Sequence, residues 1–220
     1  MRSKFSRTLV LLTGIAALAL AGCGGEAEKE EETIPAPSEM QGSWATACFL
    51  DSGSGMYSLK RITVSGNSYA WSQEMYGTNP ICEGISLEVI TSSSGIMTVG
   101  ALGQLSGDGM WAYPIDSVNT SFTQAAYTHA MVDGFILTNH CGFSDWSLGV
   151  AKEILGIVDC GPEAGTVYYD VGVVVPNIPD DIFIQGDKSA TGGMPPSDPL
   201  FRPTSLSTNP GDIFYRQTGT

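Results

Sequence analysis

The chain has 220 residues, of which 42% are hydrophobic and 15% charged. This composition can fill the core of one domain of ordinary size and is too apolar for a disordered, solvated chain. With 23 acidic and 10 basic residues the net charge is -13, which argues against a nucleic-acid-binding surface, because such a surface needs a basic stripe to neutralise phosphates.

The N-terminus has the organisation of a secretion signal. Arg2, Lys4 and Arg7 precede an apolar run over 8–20. The run is too short to cross about 30 Å of hydrocarbon as a helix, which takes about 20 residues. The sequence therefore predicts a signal peptide over 1–22 that is removed on export.

The residues at the end of this run carry a family resemblance. Leu20-Ala21-Gly22-Cys23 resembles the lipobox of bacterial lipoproteins. The resemblance implies cleavage before Cys23, acylation of Cys23 with chains such as palmitate, and a membrane partner held through that anchor. Two or more acyl chains anchor a protein stably, since each buried methylene contributes about 0.8 kcal/mol. Because Gly24 is not aspartate, we expect the outer membrane of the bacterial envelope; the alternative is an ordinary signal peptide with an incidental cysteine.

A run of acidic residues follows the predicted anchor. Its glutamates are Glu26, Glu28, Glu30, Glu31, Glu32 and Glu39, with Pro35 and Pro37 among them. Like charges and prolines keep such a segment extended and hydrated. We therefore predict an acidic tether over 23–41 and a folded domain over 42–217.

The other four cysteines are Cys48, Cys82, Cys141 and Cys160. An even number in an exported protein predicts two disulfides, for which three connectivities are possible. Pairing Cys48 with Cys82 and Cys141 with Cys160 closes the shortest loops and is favoured. A metal or redox site is the alternative, although the chain has no C-x-x-C spacing.

The clearest local structure is a hairpin centred on Gly66-Asn67, a two-residue turn signal. With this turn, Val64 faces Tyr69 and Ile62 faces Trp71. All four apolar side chains then lie on one face, and a slip by one residue would destroy this segregation.

Short apolar runs separated by Gly, Ser, Thr and Asn indicate many short strands joined by turns. Beside the hairpin over 59–75, strands are predicted over 42–49, 85–91, 95–102, 110–117, 119–123, 167–175, 181–185 and 213–216. A helix is predicted over 124–139, with a strand over 134–138 as the alternative, and the prolines of 195–203 indicate a loop or edge segment. The pattern predicts a mostly β protein, a small antiparallel barrel or sandwich with one inserted helix.

A second resemblance lies at the start of the domain. Gly42-Ser43-Trp44 resembles the G-x-W signature of lipocalin-type barrels, in which the tryptophan closes one end of the barrel. Taken with the cysteines, the hairpin, the 139–146 segment and Arg202-Pro203, it resembles bacterial lipoproteins with a lipocalin-like domain. The predicted helix precedes several strands, whereas lipocalins place theirs after the last barrel strand.

No catalytic motif is recognisable in the chain. His129 and Asp133 would lie one helical turn apart, a spacing that suits two metal ligands, but metal sites usually need three or four. His140 has no ligand pattern around it either. We therefore expect no enzyme activity, no metal and no cofactor.

The barrel prediction leads to two hypotheses of function. A small closed barrel can hold one apolar ligand in its lumen, and Trp44, Tyr69 and Trp71 are the candidate ligand-binding residues. The alternative is a structural or adhesin-like surface protein with a filled core and no ligand. A lumen of about 300 Å³ or more would favour the binding module.

The anchor gives the first testable prediction. Cys23→Ser removes the acylation site, so we expect the variant to leave the membrane pellet for the soluble periplasmic fraction. Cell fractionation with a salt wash measures this, and a variant that remains in the washed membranes would contradict the lipobox assignment.

Overall fold

The computed structural model describes residues 35–177, 179–192 and 195–218. The predicted signal peptide over 1–22, Cys23 and most of the predicted tether lie outside the described residues. Within the described residues, no helix combines the length and hydrophobicity needed to span a membrane.

Eight antiparallel strands close into a barrel. The strands of the structure, in chain order, are β1 (Gly42–Thr46), β2 (Phe49–Leu50), β3 (Tyr57–Ser65), β4 (Ser68–Tyr76), β5 (Leu87–Val99), β6 (Gly103–Gln104), β7 (Trp111–Ala126), β8 (Lys152–Glu153), β9 (Val167–Val175), β10 (Ile182–Gln185) and β11 (Ile213–Arg216). The ring runs β1, β3, β4, β5, β7, β9, β10, β11 and back to β1. Barrel neighbours therefore follow one another along the chain, and β2, β6 and β8 pair onto the sides of β3 and β7. The prediction of a small antiparallel barrel is confirmed.

The central hairpin has the predicted register. β3 and β4 pair Val64 with Tyr69 and Ile62 with Trp71. Gly66 begins the turn at a φ of 61°, in the left-handed region that favours glycine. Ile62 and Val64 are buried, and the two aromatic rings are half-buried and pack against the same core. All four side chains thus face the barrel interior.

Two pairs of predicted strands are single long strands. The predicted strands 85–91 and 95–102 are both part of β5, and 110–117 and 119–123 are both part of β7. The polar residues that suggested turns lie in mid-strand, and a bulge at Ser94 and Gly95 absorbs the extra residue of β7. Gly95 is required there, because a Cβ would collide with the Val118 carbonyl oxygen.

The one α-helix among the described residues, α1 (His129–Leu137), is shorter than the predicted 124–139. Gln124 and the two residues after it belong to the end of β7, where strand pairing overrides their helical spacing. Thr128 caps the helix by accepting a hydrogen bond from the Met131 N–H at 3.2 Å. The alternative of a strand over 134–138 is wrong, because these residues complete and leave the helix. Val132 packs with Ala126 and Trp146 in a small second core.

Two disulfides restrain the loops at one end of the barrel. Cys48 joins Cys82 with Cα atoms 5.6 Å apart, and Cys141 joins Cys160 with Cα atoms 5.4 Å apart. These are the pairs that close the shortest loops. The bonds hold the connections that follow β1, β4 and β7, all of which leave the barrel at this end, which we call the open end.

The opposite, closed end is filled by side chains from the first and last strands. Trp44 on β1 is 1% exposed, and its indole N–H donates to the Met40 carbonyl at 3.0 Å. The Arg216 guanidinium of β11 lies 4.1 Å from the centre of the Trp44 ring. Trp44 therefore lies where the resemblance to lipocalin-type barrels implies, at the end of the barrel.

The last residues of the predicted tether belong to the folded domain. Ala36 and Met40 are buried in the main core. The Arg216 guanidinium donates to the backbone oxygens of Glu39 and Gln41, at 2.6 and 2.8 Å. Residues 35–41, which the sequence assigned to the tether over 23–41, thus form a plug across the closed end, because Met40 offers an apolar side chain that the acidic composition concealed.

The closed end gives a stability prediction. Trp44→Ala should lower the free energy of unfolding by about 3–5 kcal/mol, since it empties a fully packed site and removes the surface on which Arg216 stacks. Urea denaturation measures the change. Trp111→Ala is the control, because Trp111 is 56% exposed, and equal losses for the two variants would contradict the packing described here.

Candidate functional site

The barrel contains a lumen of about 510 Å³. It lies above the packed closed end, and residues 159–162 and Pro195, from loops at the open end, form its rim. Its volume falls within the range of about 300–1,000 Å³ that is typical of small-molecule sites. The lumen exists because the inward-facing positions of β5 and β7 include small or polar residues such as Ser93 and Ser117.

One side of the lumen is aromatic. Trp71 and Tyr69 of β4 face it beside Phe122 of β7 and Tyr168 of β9. The Tyr69 hydroxyl donates to the Asn119 Oδ1 at 2.6 Å, and burial raises the pKa of this phenol. These rings offer flat apolar surface, while the bound hydroxyl of Tyr69 keeps its ring in a fixed position.

The floor of the lumen is apolar. Ile62, Met97, Ile115 and Phe183 line it and belong to the main core. Of the three predicted ligand-binding residues, Tyr69 and Trp71 line the lumen. Trp44 does not, because it is packed beneath the floor, where its ring contacts Phe183 at 5.7 Å between centroids.

Another part of the lumen wall carries a buried ion-pair cluster. The Lys188 ammonium lies 3.1 Å from Asp170 Oδ2 and 3.4 Å from Asp212 Oδ1. Asp170 also accepts hydrogen bonds from the backbone N–H groups of Val171 and Gly186. The Ser207 hydroxyl donates to Asp212 Oδ2 at 2.9 Å. All three charged groups thus have specific partners, which buried charges need.

Burial and charge act in opposite directions on these groups. Burial raises the pKa of Asp170, although Lys188 and the two backbone donors lower it. Burial opposes the charge on Lys188, but Asp170 and Asp212 outweigh it and raise the pKa of the ammonium. The carboxylates and the ammonium therefore stabilise one another's charged forms. A charged carboxylate or ammonium alone would be unfavourable at this buried position.

Lys60 of β3 is the fourth charged residue of the ion-pair cluster, and it lines the lumen. Its ammonium lies 3.8 Å from Asp212 Oδ1 and 5.5 Å from the centre of the Phe49 ring. Burial lowers the pKa of this amine, and the neighbouring Lys188 lowers it further, against the attraction of Asp212. Lys60 thus presents a cation at the boundary between the ion-pair cluster and the open lumen.

The sequence analysis did not identify these charged residues, although two signals were present. Lys60, Ile62 and Val64 are alternate residues of the predicted hairpin strand. The predicted register therefore places the Lys60 side chain on the same inward face as the other two. Asp170 interrupts the otherwise apolar strand β9, and a carboxylate in such a position is a candidate for a buried pair.

The histidines take no part in the lumen. His140 Nε2 is 2.6 Å from Gln124 Oε1, its ring stacks on Phe135 at 4.2 Å, and burial lowers its pKa. His140 lies close to the sulfurs of Cys141 and Cys160, but both are consumed in the disulfide and do not ligate metal. His129 and Asp133 are exposed on α1, and among the described residues no third ligand groups with them.

No protein-family model and no curated protein matches this sequence. The interpretation of the lumen consequently rests on its geometry and chemistry.

The ion-pair cluster gives a pH-dependent prediction. Lys188→Met leaves Asp170 without a cation and Asp212 with Lys60 alone, at 3.8 Å, so we expect the free energy of unfolding to fall by about 3–5 kcal/mol at pH 7. Buried carboxylates without a cation bind protons more readily in the folded protein than in the unfolded chain. Lowering the pH therefore favours the folded state, and the deficit should be smaller at pH 5.

Urea denaturation at both pH values measures this effect. Lys152→Met is the control, because its partner Asp145 is exposed, and we expect little change at either pH. If Lys188→Met lowers the free energy of unfolding by the same amount at pH 5 and pH 7, this would contradict the prediction that its carboxylates lack a compensating cation.

Proposed function

We propose that the domain is a binding module for a small, largely apolar molecule held in the barrel lumen, on a bacterial envelope protein anchored by acyl chains at Cys23. The observation that carries the proposal is the lumen itself, about 510 Å³ in volume, with Tyr69 and Trp71 on its wall. A ligand in it would be enclosed on all sides except the open end and would contact aromatic surface over much of its area.

The distribution of packing supports a binding role. Large apolar side chains pack together at the closed end of the barrel, so this part of the interior is filled. Around the lumen the inward positions instead include Ser93 and Ser117, which leave space and contribute little to the core. The structural or adhesin-like alternative, which requires a filled core, does not account for this contrast.

The anchor supports an apolar ligand. A lipobox at Leu20–Cys23 would tether the module to a membrane, which the resemblance at Gly24 implies is the outer membrane. A membrane is where apolar molecules concentrate. The membrane would then be both the partner of the anchor and the supply of ligand.

Native mass spectrometry of the protein purified from its own host tests the proposal. We expect a retained small molecule that is lost on denaturation. A panel of lipids, sterols and quinones tests the same point in solution, because a bound ligand raises the melting temperature. The stabilisation should follow ligand concentration and reach about 2.7 kcal/mol at one hundred times Kd.

A matched pair of variants locates the binding to the lumen. Ser93 faces the lumen between Trp71 and Phe122, whereas Ser92 faces outward between Ser72 and Thr123. Ser93→Leu should weaken binding by occupying the lumen, and Ser92→Leu should leave Kd unchanged. Equal Kd values for the two variants, or no stabilisation of the parent protein by any compound of the panel, would contradict a lumen-binding function.

A further inference from the structure

Lys60 is placed where a ligand in the lumen would meet it. It lies on β3 opposite Gln73, one inward position from the Ile62–Trp71 pair that borders the aromatic side. Its side chain is 19% exposed and lines the same lumen as Trp71. A molecule that stacks against Trp71 therefore has Lys60 within reach of its other end.

The Lys60 ammonium has donors to spare. Among the described residues no acceptor forms a hydrogen bond with its Nζ, and Asp212 Oδ1 is at ion-pair distance only, 3.8 Å. The nearby acceptors are engaged elsewhere, because Asp212 is bound by Lys188 and Ser207, and Gln185 Oε1 accepts from Lys188 at 3.1 Å. A half-buried ammonium gains from any acceptor that a ligand brings.

The charges around Lys60 determine which kind of acceptor fits. Lys60 and Lys188 balance Asp170 and Asp212, so the cluster is neutral as it stands. Asp51, which accepts from the Gln73 amide at 3.2 Å, adds further negative charge on this side. An anionic head group would leave excess negative charge in a poorly solvated space, whereas a neutral carbonyl oxygen accepts a hydrogen bond without disturbing the balance.

We propose that the ligand of the lumen is an apolar molecule with one neutral carbonyl group, whose oxygen accepts a hydrogen bond from Lys60 while its body packs against Trp71 and Tyr69. This inference rests on the proposed function and specifies its ligand class. Ketones, esters and quinones belong to that class, and free fatty acids do not.

Three naphthalene probes of nearly equal shape test the inference: 2-acetylnaphthalene, 2-naphthoate and 2-isopropylnaphthalene. They present a neutral carbonyl, a carboxylate and no acceptor. By titration calorimetry at pH 7, we expect the ketone to bind the full chain roughly tenfold or more tightly than the hydrocarbon, the gain typical of a hydrogen bond to a charged donor. The carboxylate should bind more weakly than the ketone.

Lys60→Met should remove the advantage of the ketone over the hydrocarbon while the hydrocarbon still binds. Arg61→Met is the control, because Arg61 is the next residue of β3, carries the same charge and faces outward to Glu74. It should retain the advantage. Circular dichroism of both variants checks that the barrel has formed, and Lys60→Gln, which restores a neutral donor, should recover part of the ketone affinity if Lys60→Met does not fold.

The outcomes separate this inference from the function on which it rests. If none of the three probes binds the parent protein, the lumen-binding function fails, and the ligand class fails with it. If all three bind with equal affinity, or if Lys60→Met leaves the ketone advantage intact, the lumen binds ligands but Lys60 does not select a carbonyl. Tightest binding by the carboxylate would overturn the neutral class in favour of an anionic one.

Discussion

The closure of the sheet between its first and last strands is the constraint on which the rest of the structure depends. β1 pairs with both β3 and β11, and this double pairing removes the free edges that an open sheet would present. Trp44 and Arg216 are direct partners across the β1–β11 seam, and the guanidinium stacks on the indole. The same guanidinium donates to the backbone oxygens of Glu39 and Gln41, so one side chain joins the β1–β11 pairing to the plug.

Closure at that end makes a lumen possible at the other. Trp44, Met40 and Phe214 are buried in the main core, and removing their apolar surface from water stabilises the fold. The inward positions farther along the strands are then free to be small or polar. Burying Asp170 and Lys188 among them is costly without compensation, and their mutual contacts with Asp212 supply it. The ion-pair cluster and the aromatic side of the lumen thus both occupy the part of the barrel that large apolar side chains do not fill.

The sequence predicted the parts of this fold that depend on local rules. The Gly66-Asn67 turn and the alternation around it were sufficient to set the β3–β4 register, because a slip would expose Ile62 and Val64. The continuity of β5 and β7 could not be predicted, since serines and asparagines that face a lumen look the same in sequence as those that form a turn. The helix was placed too early for a related reason: Gln124 is held in β7 by pairing with Thr91, a contact distant in sequence.

The lumen was predictable only in part, and the limit is physical. Alternation indicates that Tyr69, Trp71 and Lys60 point inward, but not whether the space between opposite walls is filled. That depends on which residues lie side by side around the ring, such as Ser93 between Trp71 and Phe122 on the neighbouring strands. The plug was missed because the glutamates of the predicted tether outweigh Met40 in composition, although Ala36 and Met40 bring 35–41 onto the core.

The positions of the disulfides follow from the same division of the barrel. At the closed end, packing against Trp44 restrains the chain, and among the described residues no disulfide lies there. At the open end the loops lie around an unfilled space, and the two disulfides restrain them together with the small second core beside α1. Cys160 and Gly161 line the rim of the lumen, and the Gly161 backbone lies so close to the Ile154 carbonyl that a side chain would not fit. The Cys141–Cys160 bond therefore restrains the rim itself, and a lumen with a restrained rim can stay open without ligand inside it.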